Sequence, residues 1–145
     1  MTDTDVERLR RATLFSALGD EQIRRFVNKA TVTEHPPEEM LTEQGTLGHR
    51  FHVLMEGKAV VERDGKQINE VGPGDFVGEL GLLGGGPSTA TVRCTEQIRC
   101  LTLRREDFWE VLEEEPAIAL RILEVLSRRL VRELRTGATA NFGDE

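Results

Sequence analysis

The sequence predicts a mainly β fold of the α+β class: an antiparallel double-stranded β-roll or jelly roll, with N-terminal helices before it and two C-terminal helices after it. Three observations lead there. Apolar residues repeat at helical spacing before Thr31 and at a period of two after it. The period-two runs are short, rich in β-branched residues and bounded by Gly, Pro and Asp. Helical spacing then returns beyond Arg105.

At the start of the chain Val6 and Leu9, then Leu14, Phe15 and Leu18, repeat at helical spacing. Asp20 begins a capping pattern ahead of Gln22, Ile23, Phe26 and Val27, which share one helical face. Strands are expected at 31–33, 40–42, 51–55, 59–62 and 67–71, separated by Pro36-Pro37, Gly45, Gly48, Gly57, Asp64-Gly65 and Gly72-Pro73-Gly74-Asp75. Asp64-Gly65 signals a tight hairpin, because such turns need residues that tolerate positive φ. Residues 89–92 and 98–103 supply two more strands around a turn near Glu96, seven runs of an expected roll of about eight, and so many short turn-bounded strands fit antiparallel pairing. A helix follows from about Arg105 to Glu114, and Pro116 suits the first turn of another that ends near Leu134. In that last helix Ala119, Ile122, Leu123, Leu126 and Leu130 form an apolar stripe, widened by Val125 and Val131. A stripe this broad predicts exposed apolar surface around Leu123, Leu126 and Leu130, and a homodimer across the helix. Residues 1–135 are expected to form the domain, and 136–145, without an apolar period, a mobile tail.

A chain of 145 residues, 38% hydrophobic and 31% charged, reads as one domain with material for a sizeable core. It has no apolar run long enough for a membrane span and no basic-then-apolar leader, so the cytoplasm is the expected location. The net charge of −7, from 19 Lys and Arg against 26 Asp and Glu, repels nucleic-acid phosphates on average. Arg128, Arg129, Arg132 and Arg135 cluster near the C-terminus, but i,i+4 partners such as Glu124 and Arg128 read as a solvated helix face. Only ten residues follow Arg135, too few for a helix-turn-helix, so no nucleic-acid partner is expected of this chain. Cys94 and Cys100 lack metal-ligand spacing, and His35, His49 and His52 show no helical metal-binding pattern. The thiols are expected to be small buried side chains, with no metal and no cofactor. His49 and His52 are expected at the surface or at strand ends. No nucleophile–base–acid set appears, so no enzyme activity is expected.

The stretch from Phe76 to Val92 carries the chemistry. Gly78 and Gly81 bracket Glu79, with Leu80, Leu82 and Leu83 beside them; Gly84-Gly85-Gly86, Pro87, Ser88, Thr89 and Thr91-Val92 follow. Free backbone N–H groups in a Gly-rich turn or at a helix N-terminus attract anions, and a neighbouring carboxylate can accept hydrogen bonds from sugar hydroxyls. This run resembles the phosphate-binding cassette of the cyclic-nucleotide-binding domains, of catabolite activator and protein kinase A regulatory-subunit type. That cassette reads Gly-Glu-Leu-Ala/Gly-Leu and then Pro-Arg-Ala/Ser-Ala-Thr. The match has no gap, with Ser88 at the arginine position. Glycines at turns (Gly45, Gly57, Gly72) and the Gly74-Asp75 pair extend the resemblance, which covers about residues 5–135.

The resemblance implies that Glu79 accepts a hydrogen bond from a ribose hydroxyl, and that Gly78 and Leu80 offer backbone N–H groups. It implies that Thr89 donates to a phosphate oxygen. Each position has a plainer role beside this one: a helix N-terminal acid for Glu79, a turn for Gly78, a solvent-facing strand residue for Thr89. Ser88 gives one neutral donor where an arginine brings charge and a planar fork. Hydrogen bonds to charged groups contribute about 1.5–3 kcal/mol against roughly 1 for neutral ones, so a nucleotide should bind roughly one to three decades more weakly. Arg50, Arg93 and Arg99 are the candidates to swing in, and Arg128-Arg129-Leu130 leads to Glu133 and Leu134 rather than to small hydroxyls. The expected function is a regulatory or sensor module with weak or altered binding of cAMP, cGMP or another anionic small ligand, signalling through the C-terminal helices. Two alternatives stand beside it: a ligand-independent interaction or dimerisation domain that kept the fold, and a fragment of a transcription regulator without its DNA-binding part.

Overall fold

The computed structural model describes residues 3–16 and 18–135, and the side chains of all of these except 3, 4, 79–81 and 133. Helices α1 (Asp3–Arg11) and α2 (Asp20–Lys29) precede strands β1 (Thr31–His35), β2 (Met40–Thr42), β3 (Arg50–Glu56), β4 (Ala59–Arg63), β5 (Lys66–Val71) and β6 (Phe76–Val77). A short helix α3 (Glu79–Gly84), strands β7 (Thr91–Cys94) and β8 (Ile98–Arg104), and helices α4 (Arg105–Glu114) and α5 (Pro116–Arg135) follow. The proposed tail, 136–145, lies outside the described residues.

The strands form two four-stranded sheets, ordered β1-β8-β3-β6 and β2-β7-β4-β5. Every pairing is antiparallel, as expected for strands joined by tight turns. Side chains alternate across β3 and β8, so each strand serves two cores. Phe51, Val53, Met55, Leu101 and Leu103 pack against the helices, with Phe26, Phe108, Ile118 and Ile122. Leu54, Ile98 and Cys100 face the other way and meet Ala59, Val71, Val92 and Cys94 of the second sheet. That double duty explains why β3 is buried at five consecutive positions rather than alternately.

Asp64 and Gly65 have φ of 53° and 80° between the paired Arg63 and Lys66, which is the anticipated two-residue hairpin. Gly57 closes the β3–β4 turn at φ 87°, where an added Cβ would sit 2.2 Å from the Gln97 carbonyl oxygen. Gly45 also has positive φ, but Gly72 does not. Gly72 is held instead by Asp75, whose Oδ2 accepts its N–H at 2.8 Å.

Several elements differ from expectation. Leu14, Phe15 and Leu18 do not continue a helix: successive i→i−3 bonds from Phe15 to Ala12 and from Leu18 to Phe15 make tight turns that still bury Leu14 and Phe15. The cap of α2 falls on Gly19, whose N–H donates to Gln22 Oε1 at 2.9 Å, one residue before Asp20. Thr89 precedes β7 rather than opening it. Cys94 and Cys100 are free and buried, as expected.

The junction between α4 and α5 is anchored on the N-terminal helices. Glu115 is 4% exposed and accepts from Arg25 at 2.7 Å and Gln22 at 3.0 Å. Lys29 lies 2.6 Å from Glu110 and 3.1 Å from Glu114. These contacts fix α4 to α2, and Pro116 then starts α5 afresh.

Candidate functional site

The cassette begins where β6 ends. Gly78 has φ 98°, a region that L side chains rarely enter, and an added Cβ would lie 2.4 Å from the Arg50 carbonyl oxygen. The turn at Gly78 therefore needs glycine on two counts, conformation and space. Helix α3 starts at the next residue, so Glu79 and Leu80 stand in the first turn of a helix, where backbone N–H groups have no intrahelical acceptor. The side chains of Glu79 and Leu80 lie outside the described residues. Leu82, fully buried in the helix-side core, pins α3 to the roll.

The second half of the cassette is held by the loop before β3. Ser88 donates its N–H to the Thr46 carbonyl at 2.8 Å, and its carbonyl accepts from Gly45 N–H at 2.9 Å. Its hydroxyl lies 3.4 Å from where a Cβ on Gly48 would sit. Thus Gly48 touches one end of the cassette and Arg50, two residues on, touches the other. The fold brings Gly78 and Ser88 to one short segment. Neither Thr46 nor Gly48 was singled out by the sequence as a cassette support; Gly48 read only as a turn.

Of the three arginines expected to stand in for position 88, two are engaged elsewhere. Arg93 pairs with Glu62 at 3.1 Å and Glu38 at 3.2 Å, which raises its pKa further and holds Glu62 below the usual carboxylate range. Arg99 pairs with the buried Asp5. Arg50 is exposed, and its backbone carbonyl lies against Gly78. A fourth arginine, which sequence reasoning missed, lies beside it: Arg63 Nε donates to the Thr89 carbonyl at 3.1 Å. The only sequence signal was its position at the tip of the Asp64-Gly65 hairpin.

Helix α5 reaches the same corner. Arg129 Nη2 donates to the Phe76 carbonyl at 3.3 Å, and its guanidinium stands 5.1 Å from the centre of the Phe76 ring. Phe76 lies two residues before Gly78, so the last helix touches the strand that leads into the cassette.

This arrangement matches a known family. The model of the cyclic nucleotide-binding domain matches residues 32–115. The chain belongs to that family. The chain is 27% identical over 143 residues to a CRP-like cAMP-activated global transcriptional regulator of Mycobacterium tuberculosis, covering 95% of this chain and 64% of the relative. A crystal structure of the Thermus thermophilus catabolite activator protein superposes with a TM-score of 0.80 at 26% identity, covering 89% of this chain and 63% of that one. The N-terminal domain of a transcriptional regulator from Streptomyces coelicolor is 33% identical, with a TM-score of 0.67 and 86% and 93% coverage. The chain thus spans under two thirds of the length of the mycobacterial relative. The matched family is one of binding domains rather than catalytic ones. Among the described residues, no helix is long and apolar enough to cross a membrane.

Within the domain, His52 corrects an expectation. It is 3% exposed rather than superficial, because β3 is sandwiched between two cores. His35, His52 and Cys100 bring ring nitrogens and sulfur within 4.8 Å of one another, a convergence that sequence spacing hid because each lies on a different strand. The nitrogens already have partners. His52 Nδ1 bonds Thr102 Oγ1 at 2.9 Å, His35 Nε2 bonds Thr33 Oγ1 at 2.9 Å, and His35 Nδ1 bonds Glu39. Thr33 and Thr102 hydroxyls join the two halves at 2.8 Å. Burial pushes the Cys100 thiol up to about 12, so it stays protonated. The cluster reads as a hydrogen-bonded seam between strands.

Proposed function

We propose that this chain is a regulatory module that senses a cyclic nucleotide or a related anionic small molecule weakly at Gly78, Glu79, Leu80, Ser88 and Thr89, and answers by moving α5. The observation that carries it is the Arg129–Phe76 contact, which ties α5 to the entrance of the cassette. Ligand that reshapes the turn at Gly78 changes the position of Phe76, and with it the seat of Arg129. The α4–α5 junction stays clamped to α2 through Glu115, so α5 swings about a fixed point. The mycobacterial relative, described as cAMP-activated, supports cAMP as the first ligand to try. Ser88, a neutral donor with both backbone groups already bonded, supports weak rather than tight binding.

The partner surface in this reading is a second copy. Leu120, Leu123, Ser127, Leu130 and Leu134 follow the alternating three- and four-residue spacing of a coiled-coil seam, and Leu120, Leu123 and Leu134 are exposed. The second reading, a ligand-independent dimerisation domain, draws on the same seam together with the missing cassette arginine. Calorimetric titration with cAMP, cGMP and sulfate at low salt separates the two. Saturable heat with a cyclic nucleotide and not with sulfate supports the sensor. No heat with either nucleotide, with dimers intact, replaces it with the dimerisation domain.

A further inference from the structure

The cassette lacks an arginine at position 88, and the whole chain carries net negative charge. An anionic ligand then needs a fixed cation from elsewhere in the fold. Arg63 ends β4, whose pairing with β7 runs Val61 to Val92 and Glu62 to Thr91. The next step places Arg63 across from residue 90, beside the second half of the cassette. Ala59 and Val61 face the core between the sheets. The β4–β7 register is unbroken, and the irregularity between Val61 and Glu62 falls in β5, which skips Ile68. Alternation therefore puts Arg63 on the same inward face as Val61, at the end of that row. Its side chain is half-buried. The bond from Nε to the Thr89 carbonyl places the guanidinium one residue from Ser88.

We propose that Arg63, reaching across from β4, is the cation that receives the ligand's phosphate group in this domain, in place of an arginine within the cassette. This rests on the cyclic-nucleotide reading above and specifies how that site holds its charge. Arg63 has contacts besides Thr89, and an incoming phosphate exchanges with them. The charge then arrives from the side of the cassette, anchored to the backbone that presents Thr89. The competing cation is Arg105, whose Nη2 is 3.8 Å from a Cβ placed on Gly85, at the glycine run.

The test is a titration of cAMP, with adenosine as the phosphate-free probe, into the wild type, Arg63→Gln, Arg63→Met and Arg105→Gln. Two neutral replacements at position 63 guard against one failing to fold, and thermal unfolding checks each. Removing Arg63 should weaken cAMP at least tenfold, or about 1.4 kcal/mol. Adenosine binding should stay unchanged, and so should cAMP binding to Arg105→Gln. Adding Ser88→Arg to the Arg63→Gln background should restore the lost affinity. If the wild type binds cAMP and loss of Arg63 changes nothing, or if Arg105→Gln alone abolishes binding, Arg63 does not hold the phosphate. If the wild type binds neither cAMP nor cGMP, the sensor reading falls, and this proposal with it.

Discussion

His52 shows how much one buried residue can impose on the domain. Burial first, and then the nearby His35 and Arg50 charges, lower its pKa from 6.5 to about 4. The unfolded chain protonates this imidazole below about pH 6.5, while the folded chain resists until about pH 4. Stability from this group is therefore present above pH 6.5 and is lost as pH falls toward 4. The full effect is at most about 3.5 kcal/mol, because each tenfold change in proton affinity is worth about 1.4 kcal/mol. Urea unfolding of wild type and His52→Gln between pH 7 and 4.5 should show the stability gap changing steadily in favour of the variant as pH falls. A constant gap would mean that His52 titrates normally in the fold. At the cassette, Ser88→Arg should raise affinity for a cyclic nucleotide tenfold or more, because a bidentate cation replaces a neutral donor. Glu79→Ala in that background should remove much of the gain, since in the proposed site the ribose contact would go while the phosphate contact remained. A Ser88→Arg protein that folds and still binds nothing, by calorimetry, would reduce the cassette to a structural remnant.

Helix α5 divides its faces differently from the stripe read in sequence. Ile118 and Ile122 are buried, and Val125 and Leu126 pack against the same core, so Leu126 does not belong to the exposed surface. Exposed apolar area lies at Leu120, Leu123, Val131 and Leu134, which are 66%, 58%, 43% and 48% exposed. The difference is one of phase: stripe width was legible, but which edge docks depends on where α4 hands the chain to α5. Charged pairs flank the seam, with Glu124 bonded to Arg121 and Arg128. Sedimentation of Leu123→Glu should show monomers at concentrations where the wild type is dimeric, with thermal unfolding little changed, because Leu123 contributes little to the chain's own core. A wild type that stays monomeric at high concentration would rule out the dimer.

For the molecule as a whole, charge sets the limits on partners. A net charge of −7 gives no long-range attraction to nucleic acid, and α5 arginines are partly neutralised by Glu124. The chain should show no tight, salt-sensitive binding to duplex DNA in a mobility-shift assay, and a steep salt dependence there would contradict this. The sequence by itself determined the order of the longer elements, the Asp64-Gly65 hairpin and the cassette. These follow from local physics: side-chain period, turn residues that accept positive φ, and a contiguous run of glycines around a carboxylate. It missed β6 and α3 as separate elements, because a two-residue strand and a six-residue helix are too short to show a period. Only the tertiary structure decided which distant residues meet. Arg93 and Arg99 looked available along the chain, yet pairing across β4 and β7 gives Arg93 to Glu62, the packing of α1 on β8 gives Arg99 to Asp5, and Arg63, which the sequence did not single out, meets the Thr89 carbonyl. His35, His52 and Cys100 converge for the same reason, because register between strands far apart in sequence is fixed by how the two cores pack, and no local pattern encodes it.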